Sequence, residues 1–189
     1  AAAVPLAAVS AGQGLIDYGA LQRGQRVLIH GGAGGIGHLA IQIAKVRGAW
    51  VATTVAPEDL DFVRRLGADQ AVDYRSERFE EVVAPVDLVF DLVGGETQQR
   101  SFNVVVSGGR LVSTVSEPDA GTALARGVMA CGFMARPNGV QLYAISHLIE
   151  HHMLRVEVQR TFALSRAAEA QIFQKNQHSR GKTVLEVRH

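Results

Sequence analysis

The chain has 189 residues, of which 47% are hydrophobic and 20 are glycine, a composition that excludes a disordered or collagen-like chain and allows one globular domain with a sizeable core. Nineteen Lys and Arg against eighteen Asp and Glu leave a net charge of +1, so no net field draws the chain to nucleic acid or to an anionic membrane, and neither is expected as a partner. The one cysteine, Cys131, excludes an internal disulfide and a thiolate-rich zinc site, and a reducing cytoplasm suits such a chain.

The first sixteen residues, AAAVPLAAVSAGQGLI, are uncharged, but they lack a basic flank and contain Pro5, Gly12 and Gly14. They predict a packed helix, neither a signal peptide nor a membrane span. The chain starts abruptly in apolar sequence without an initiator Met, so a further N-terminal part of the protein is expected. Arg26 to His30 is a continuous apolar run of the kind a strand buried on both faces shows. A glycine-rich loop follows it. From Gly35 to Arg47 the polar residues His38, Gln42 and Lys45 recur at helical spacing, which predicts a largely buried helix with one wet stripe and a C-cap at Gly48.

Trp50 to Thr54 repeats the strand pattern, and Pro57 opens a helix that runs to Leu66 and stops at Gly67. Strands are predicted at Gln70 to Asp73, Val86 to Val93, Arg110 to Val115 and Gly127 to Met134, with helices near Glu77 to Val83 and Glu96 to Val105. Asn138, with Gln141 three residues on, predicts the capped start of a helix to about Glu150, and a strand, a helix and a strand fill Val156 to the end. Strands alternating with helices on short connections imply right-handed crossovers: an α/β fold with a Rossmann-type doubly wound parallel sheet in three layers.

Gly32, Ala33, Gly34, Gly35, Ile36 and Gly37 fit the pattern G-x-G-x-x-G between a predicted strand and a predicted helix. In that context the first glycine serves the tight turn, the second lets the backbone approach a pyrophosphate, and the third lets helix and strand pack closely. The N–H groups and partial positive charge at the helix start would hold the phosphates. NAD-specific sites place an acidic residue about 20 positions further on, against the ribose 2′-hydroxyl. This chain has Thr53 and Thr54 there. Absence of the acid removes a repulsion against a 2′-phosphate and favours NADPH, with NADH not excluded. Tyr74 and Arg75 are the nearest donors to a phosphate, with an ordinary surface pair as the alternative.

Other constellations carry less. His151 and His152 point in different directions on a helix and no third ligand has suitable spacing, so no metal is expected. His30 reads as a locally hydrogen-bonded strand residue and Cys131 as a small buried hydrophobe. None of Tyr18, Tyr74 and Tyr143 starts a Tyr-x-x-x-Lys pair, which disfavours a short-chain dehydrogenase. The run from Gly127 to Met134 has no charge and no proline, so as an edge strand it predicts a homodimer that closes that edge.

In order along the chain, GQRVLIHGGAGGIG, AIQIAKVRGAWVATT, RRLGADQAVDYR, VDLVFDLVGGE, GGRLVS, GFMARPNGVQL and HSRGKTVLEV together resemble the zinc-independent quinone oxidoreductases of the medium-chain dehydrogenase/reductases. The resemblance covers nearly the whole chain. It implies the cofactor-binding domain of an NADPH-dependent reductase of quinones, enones or related activated alkenes, acting on a small-molecule substrate, with a GroES-like catalytic domain outside this chain. It also implies that Ala33, Gly34, Gly35 and Ile36 cradle the pyrophosphate, that Thr54 lies by the adenosine ribose, and that Tyr74 lies by the 2′-phosphate or adenine. Val93 and Gly94 would reach the middle of the dinucleotide, and Val115, Ser116, Phe133 and Met134 would border the nicotinamide half. No catalytic residue is assigned. Two departures stand out: Val55 to Glu58 offers no Lys or Arg after the second strand, and Gly12 stands where relatives often have an aromatic residue. Two alternatives remain open: a redox sensor or structural protein that binds NADPH without turnover, and an enoyl-thioester reductase domain of a lipid or polyketide pathway.

Overall fold

The computed structural model describes residues 1–176 and 179–187. Six strands form one parallel sheet: β1 (Arg26–His30), β2 (Trp50–Val55), β3 (Gln70–Asp73), β4 (Val86–Asp91), β5 (Val105–Ser113) and β6 (Met129–Gly132), in the order β3-β2-β1-β4-β5-β6. The chain builds outward from β1 to β3, then crosses back to lay β4 on the other side of β1. That reversal opens a crevice at the carboxyl ends of β1 and β4, where ligands of such sheets bind.

Helices cover both faces, so the doubly wound, three-layer Rossmann-type sheet is as expected. On one face α1 (Pro5–Gly12), α2 (Gly37–Val46), α3 (Leu60–Arg65) and α7 (Gly139–Glu150) pack Leu39, Ile43, Phe62 and Ile145 against Val27, Ile29 and Val51. On the other, α4 (Phe79–Val82), α5 (Gly95–Ser101) and α6 (Ala120–Arg126) enclose Phe79, Phe102, Leu28 and Val89. The central strands are buried on both sides, which is why they read as unbroken apolar runs. The first helix extends as a π-helical stretch, Gln13–Tyr18, whose Gln13 side chain hydrogen-bonds the backbone of Arg136 through both its amide groups, at 2.9 and 3.0 Å.

The structure corrects three local readings and places the expected final strand, helix and strand apart from the main sheet. The stripe of His38, Gln42 and Lys45 is not wet along its length: His38 and Gln42 are buried. Gln42 pairs with the backbone of Arg155 (2.9 and 2.7 Å), and His38 Nε2 accepts the N–H of Glu157 (3.3 Å). A polar seam on this helix therefore receives another segment's backbone. Strand β5 starts at Val105, where helix was expected, and a register shift between Val86 and Leu88 absorbs Gly108. Helix α6 was not anticipated because Ala123 is its only buried residue, although Asp119 caps it through Thr122 N (2.7 Å) and Gly127 ends it at φ 64°. The last strand, helix and strand, β7 (Val158–Ala163), α8 (Ala167–Asn176) and β8 (Lys182–Glu186), form a separate two-stranded parallel ribbon. Gln177, His178, Arg188 and His189 lie outside the described residues.

Candidate functional site

A cavity of about 730 Å³ opens at the crevice between β1 and β4. Its floor is the glycine loop, its sides are Thr54, Val55, Ala56 and Tyr74 from β2 and β3 and Leu92, Val93 and Thr97 after β4, and Gly181 and Lys182 close it from the ribbon.

Packing explains the loop's composition more closely than the motif does. The left-handed turn falls on Gly31 (φ 72°), one residue before the first glycine of the pattern. Gly32 is required for a different reason: a Cβ there would stand 2.0 Å from Thr53 Oγ1, which donates to Ile29 O at 2.7 Å. At Gly37 a Cβ would meet Gly31 O at 2.2 Å, so the third glycine does set how closely α2 approaches the turn. The N–H groups of Gly34 and His38 bond back to the carbonyls of Gly31 and Gly34. Among the described residues no protein acceptor meets those of Gly35, Ile36 and Gly37. Open donors at a helix start make an anion site, and the Lys182 side chain lies over Gly35, its Cδ 2.9 Å from where a Cβ would be. Gly181 N donates to Ala33 O (2.8 Å), which ties the ribbon to the loop.

Among the described residues the one carboxylate lining the cavity is Glu77, beyond Tyr74, and its Oε2 accepts the Asp73 N–H at 3.0 Å. Arg75 is already engaged, its two terminal nitrogens each 3.1 Å from one oxygen of Glu58, and its guanidinium lies 5.8 Å over the Tyr74 ring. Asp59 is buried and paired with Arg180.

Across the crevice one buried carboxylate organises two loops. Asp91 Oδ1 accepts the N–H groups of Val93 (3.0 Å) and Gly94 (2.9 Å), and Oδ2 accepts Gln98 Nε2 (3.0 Å) and Ser113 Oγ (2.9 Å). Ser113 Oγ in turn accepts Val115 N at 3.1 Å. Below the loop His30 is fully buried, and burial pushes its imidazole down to about 4 against the pull of Asp91, so it is neutral near pH 7. Glu80 and Arg100 form a tight ion pair beside Phe79, and the hydrogen bond from Arg100 holds the Glu80 carboxyl down to about 2.

Of the residues singled out from sequence, Ala33, Gly34, Gly35, Ile36, Gly37, Thr54, Tyr74 and Val93 line the cavity. Gly32 sits behind the loop. Gly94, Val115 and Ser116 lie together at its rim, with Gly94 packed against the Val115 side chain. Phe133 stacks on Tyr18 with ring centroids 4.5 Å apart and faces Phe90, so in this chain it belongs to an aromatic stack, and Met134 is exposed. Sequence reasoning passed over Lys182, Thr97 and Arg100. Only Lys182 had a signal, since it lies in the block HSRGKTVLEV.

A helix start with open N–H groups at the reversal point of a doubly wound sheet is the arrangement of dinucleotide-binding domains. A model of the zinc-binding dehydrogenase family matches residues 66–185. The chain belongs to this family, the medium-chain dehydrogenase/reductases. An NADPH-dependent alkenal/one oxidoreductase of Arabidopsis thaliana is 36% identical over 191 residues, spanning 98% of this chain and 46% of that protein. The polyketide synthase GfsB of Streptomyces halstedii is 36% identical over 200 residues, 99% of this chain and 4% of that protein. The solved quinone oxidoreductase of Coxiella burnetii is 38% identical and superposes with a TM-score of 0.93 over 100% of this chain and 60% of that one. The chain thus spans about half the length of the Arabidopsis relative.

Proposed function

We propose that this domain binds NADPH in the crevice and is the cofactor-binding part of a reductase of quinones, enones or related activated alkenes. The observation that carries the reading is the convergence of three unpaired amides and Lys182 on one anion site, with Thr54 in place of the acid that NAD-specific sites use. The named activities of the Arabidopsis and Coxiella proteins support the substrate class. Bound there, the dinucleotide would supply a hydride.

The chain's own residues bind and orient. The amides of Gly35 to Gly37 and Lys182 would neutralise the pyrophosphate, Thr54 would border the adenosine ribose, and Tyr74 with Arg75 would receive the 2′-phosphate. The loops pinned by Asp91 would fix the far half, with Val93, Gly94, Val115 and Ser116 nearest it and Phe133 and Met134 at the outer border. Among the described residues no three His, Cys, Asp or Glu side chains come together to hold a metal ion. We read the chemistry as zinc-independent on the chain's resemblance to the zinc-independent quinone oxidoreductases.

Thermal stability measured with NADPH and with NADH at equal concentration tests the cofactor. A larger shift with NADPH is expected; an equal shift, or a larger one with NADH, would overturn the choice. An enoyl-thioester reductase domain is a second reading, favoured by the polyketide synthase match, and comparison of a quinone with an enoyl thioester as substrate separates the two. Binding of NADPH without turnover of either would leave the sensor reading. A homodimer through residues 127–134 is supported by β6 standing at the sheet edge with Met129 half exposed, although Glu117 already occupies the Gly132 N–H (3.0 Å). Sedimentation of the protein as a monomer would exclude it. No helix among the described residues is long and apolar enough to cross a membrane. The free thiol of Cys131 is compatible with the reducing cytoplasm we favour.

A further inference from the structure

His30, Thr54 and Ser101 form a buried chain of hydrogen bonds whose proton positions follow from geometry. Ser101 Oγ lies 2.7 Å from the carbonyl oxygen of Thr97, which can only accept, so the Ser101 hydroxyl proton is committed there. His30 Nε2 is 2.9 Å from the same Ser101 oxygen and must therefore donate to it. With Nε2 protonated and the ring neutral, Nδ1 is bare, and Thr54 Oγ1 at 3.0 Å has to give it a proton. Gly31 N, 3.4 Å from Thr54 Oγ1, points a further weak donor at the same oxygen.

Nothing in the reading of the cofactor site uses His30. Yet it decides what Thr54 can offer to the cavity that Thr54 lines. A free threonine hydroxyl could donate to a phosphate or accept from a sugar hydroxyl. Here its proton is turned inward, and only lone-pair density remains for a ligand.

We propose that His30 is a positioning residue that makes Thr54 an obligate hydrogen-bond acceptor, so that Thr54 receives a hydroxyl of the adenosine ribose, which in NADPH is the 3′-hydroxyl. The proposal rests on the NADPH reading above and adds the polarity of one contact. It also assigns the 2′-phosphate away from Thr54, because an acceptor-only oxygen repels a phosphate oxygen. Tyr74 and Arg75 are then the groups left to meet it.

Two measurements on the protein test this. Nitrogen-15 spectra of histidine-labelled protein, with the His30 signals identified by their loss in His30→Gln, should show a protonated Nε2 and a bare Nδ1 between about pH 6 and 8. A protonated Nδ1 would overturn the proposal. Calorimetric affinities for NADP⁺ and for 3′-deoxy-NADP⁺ should differ by about tenfold in the native protein, the loss of one well-made hydrogen bond. That ratio should persist in Thr54→Ser and fall to about one in Thr54→Val. In His30→Leu, which leaves Thr54 no acceptor on the inner side and releases it to turn its proton outward, the ratio should shrink to about two or less, whereas His30→Gln, whose side-chain oxygen can still accept from Thr54, should keep it nearer the native value. A purely structural role for His30 would weaken both ligands together and leave the ratio unchanged in His30→Leu, which would overturn the proposal even if that variant were destabilised. Absence of NADP⁺ binding to the native protein would sink the cofactor reading and the ribose contact with it. Binding with a native ratio near one would sink the ribose contact alone.

Discussion

The two banks of the crevice are built on different principles. The bank formed by the glycine loop is contiguous in sequence, made of backbone, and shaped by what is missing: side chains at Gly32 and Gly37 would collide with Thr53 and with the preceding turn. The opposite bank is assembled from segments far apart in sequence and is held by what is present, since the buried carboxylate of Asp91 ties the loops after β4 and β5 together. A backbone site is specified by steric exclusion and can be read as a motif. A site held by one side chain depends on contacts that no short pattern encodes.

The sharpest way to break this contrast is Asp91→Ala. It would leave two amide donors and the Gln98 and Ser113 side chains without their buried acceptor, at a cost of roughly 3 kcal/mol or more of stability in denaturant unfolding. Asp91→Asn, which keeps one acceptor oxygen, should recover part of it. A loss below about 1 kcal/mol for Asp91→Ala would mean that the loops hold themselves.

Next in size is a pH effect beneath the glycine loop. His30 carries a folded-state pKa of about 4 against an ordinary value of 6.5, mainly through burial. The unfolded chain therefore binds the proton more readily, so the contribution of neutral His30 is complete above about pH 6.5 and is lost as pH falls through about 4. That shift corresponds to at most about 3 kcal/mol. His38, also lowered by burial, adds to the same window. Melting temperature against pH should fall steeply over this range and less steeply in His30→Gln; parallel curves would show that His30 does not drive the loss.

Lys182→Ala separates charge from backbone on the first bank. If three amides do most of the phosphate binding, removal of the lysine should weaken NADPH and NADH alike by about tenfold, with little change in melting temperature of the free protein. A loss of all binding would shift the weight from backbone to Lys182.

The same contrast explains what was legible in the sequence. Strand β1 falls where its apolar run lies, and the glycine loop lies where its spacing indicated, because burial on both faces and steric exclusion both leave local marks. The role of Asp91 was not legible, since it sits within an apolar strand and its four partners are spread from position 93 to 113. The seam of His38 and Gln42 was misread for a related reason. Polar residues at helical spacing describe a face that prefers hydrogen bonds, and water or the backbone of residues 155–157 satisfies that preference equally well. Phe133 is placed by its stack on Tyr18, a contact between residues separated by most of the chain.

The smallest expected effect concerns the rim where the two banks meet the adenosine end. Arg75 lies beside Tyr74 on that side, with Arg180 turned to the Glu58 carbonyl and Asp59, and the Arg75 guanidinium is held by Glu58 through two 3.1 Å contacts between half-exposed side chains. A 2′-phosphate arriving there would compete with the carboxylate for the same guanidinium, and Glu58 would repel it besides. The exposed pair itself adds little stability. Glu58→Gln should leave the melting temperature of the free protein nearly unchanged and raise affinity for NADPH by about three- to fivefold, with no gain for NADH, which lacks the phosphate. Equal changes for both cofactors would place the 2′-phosphate away from Arg75. A gain confined to NADPH would show that the native chain restrains its own preference for the phosphorylated cofactor through an acidic residue four positions beyond Thr54.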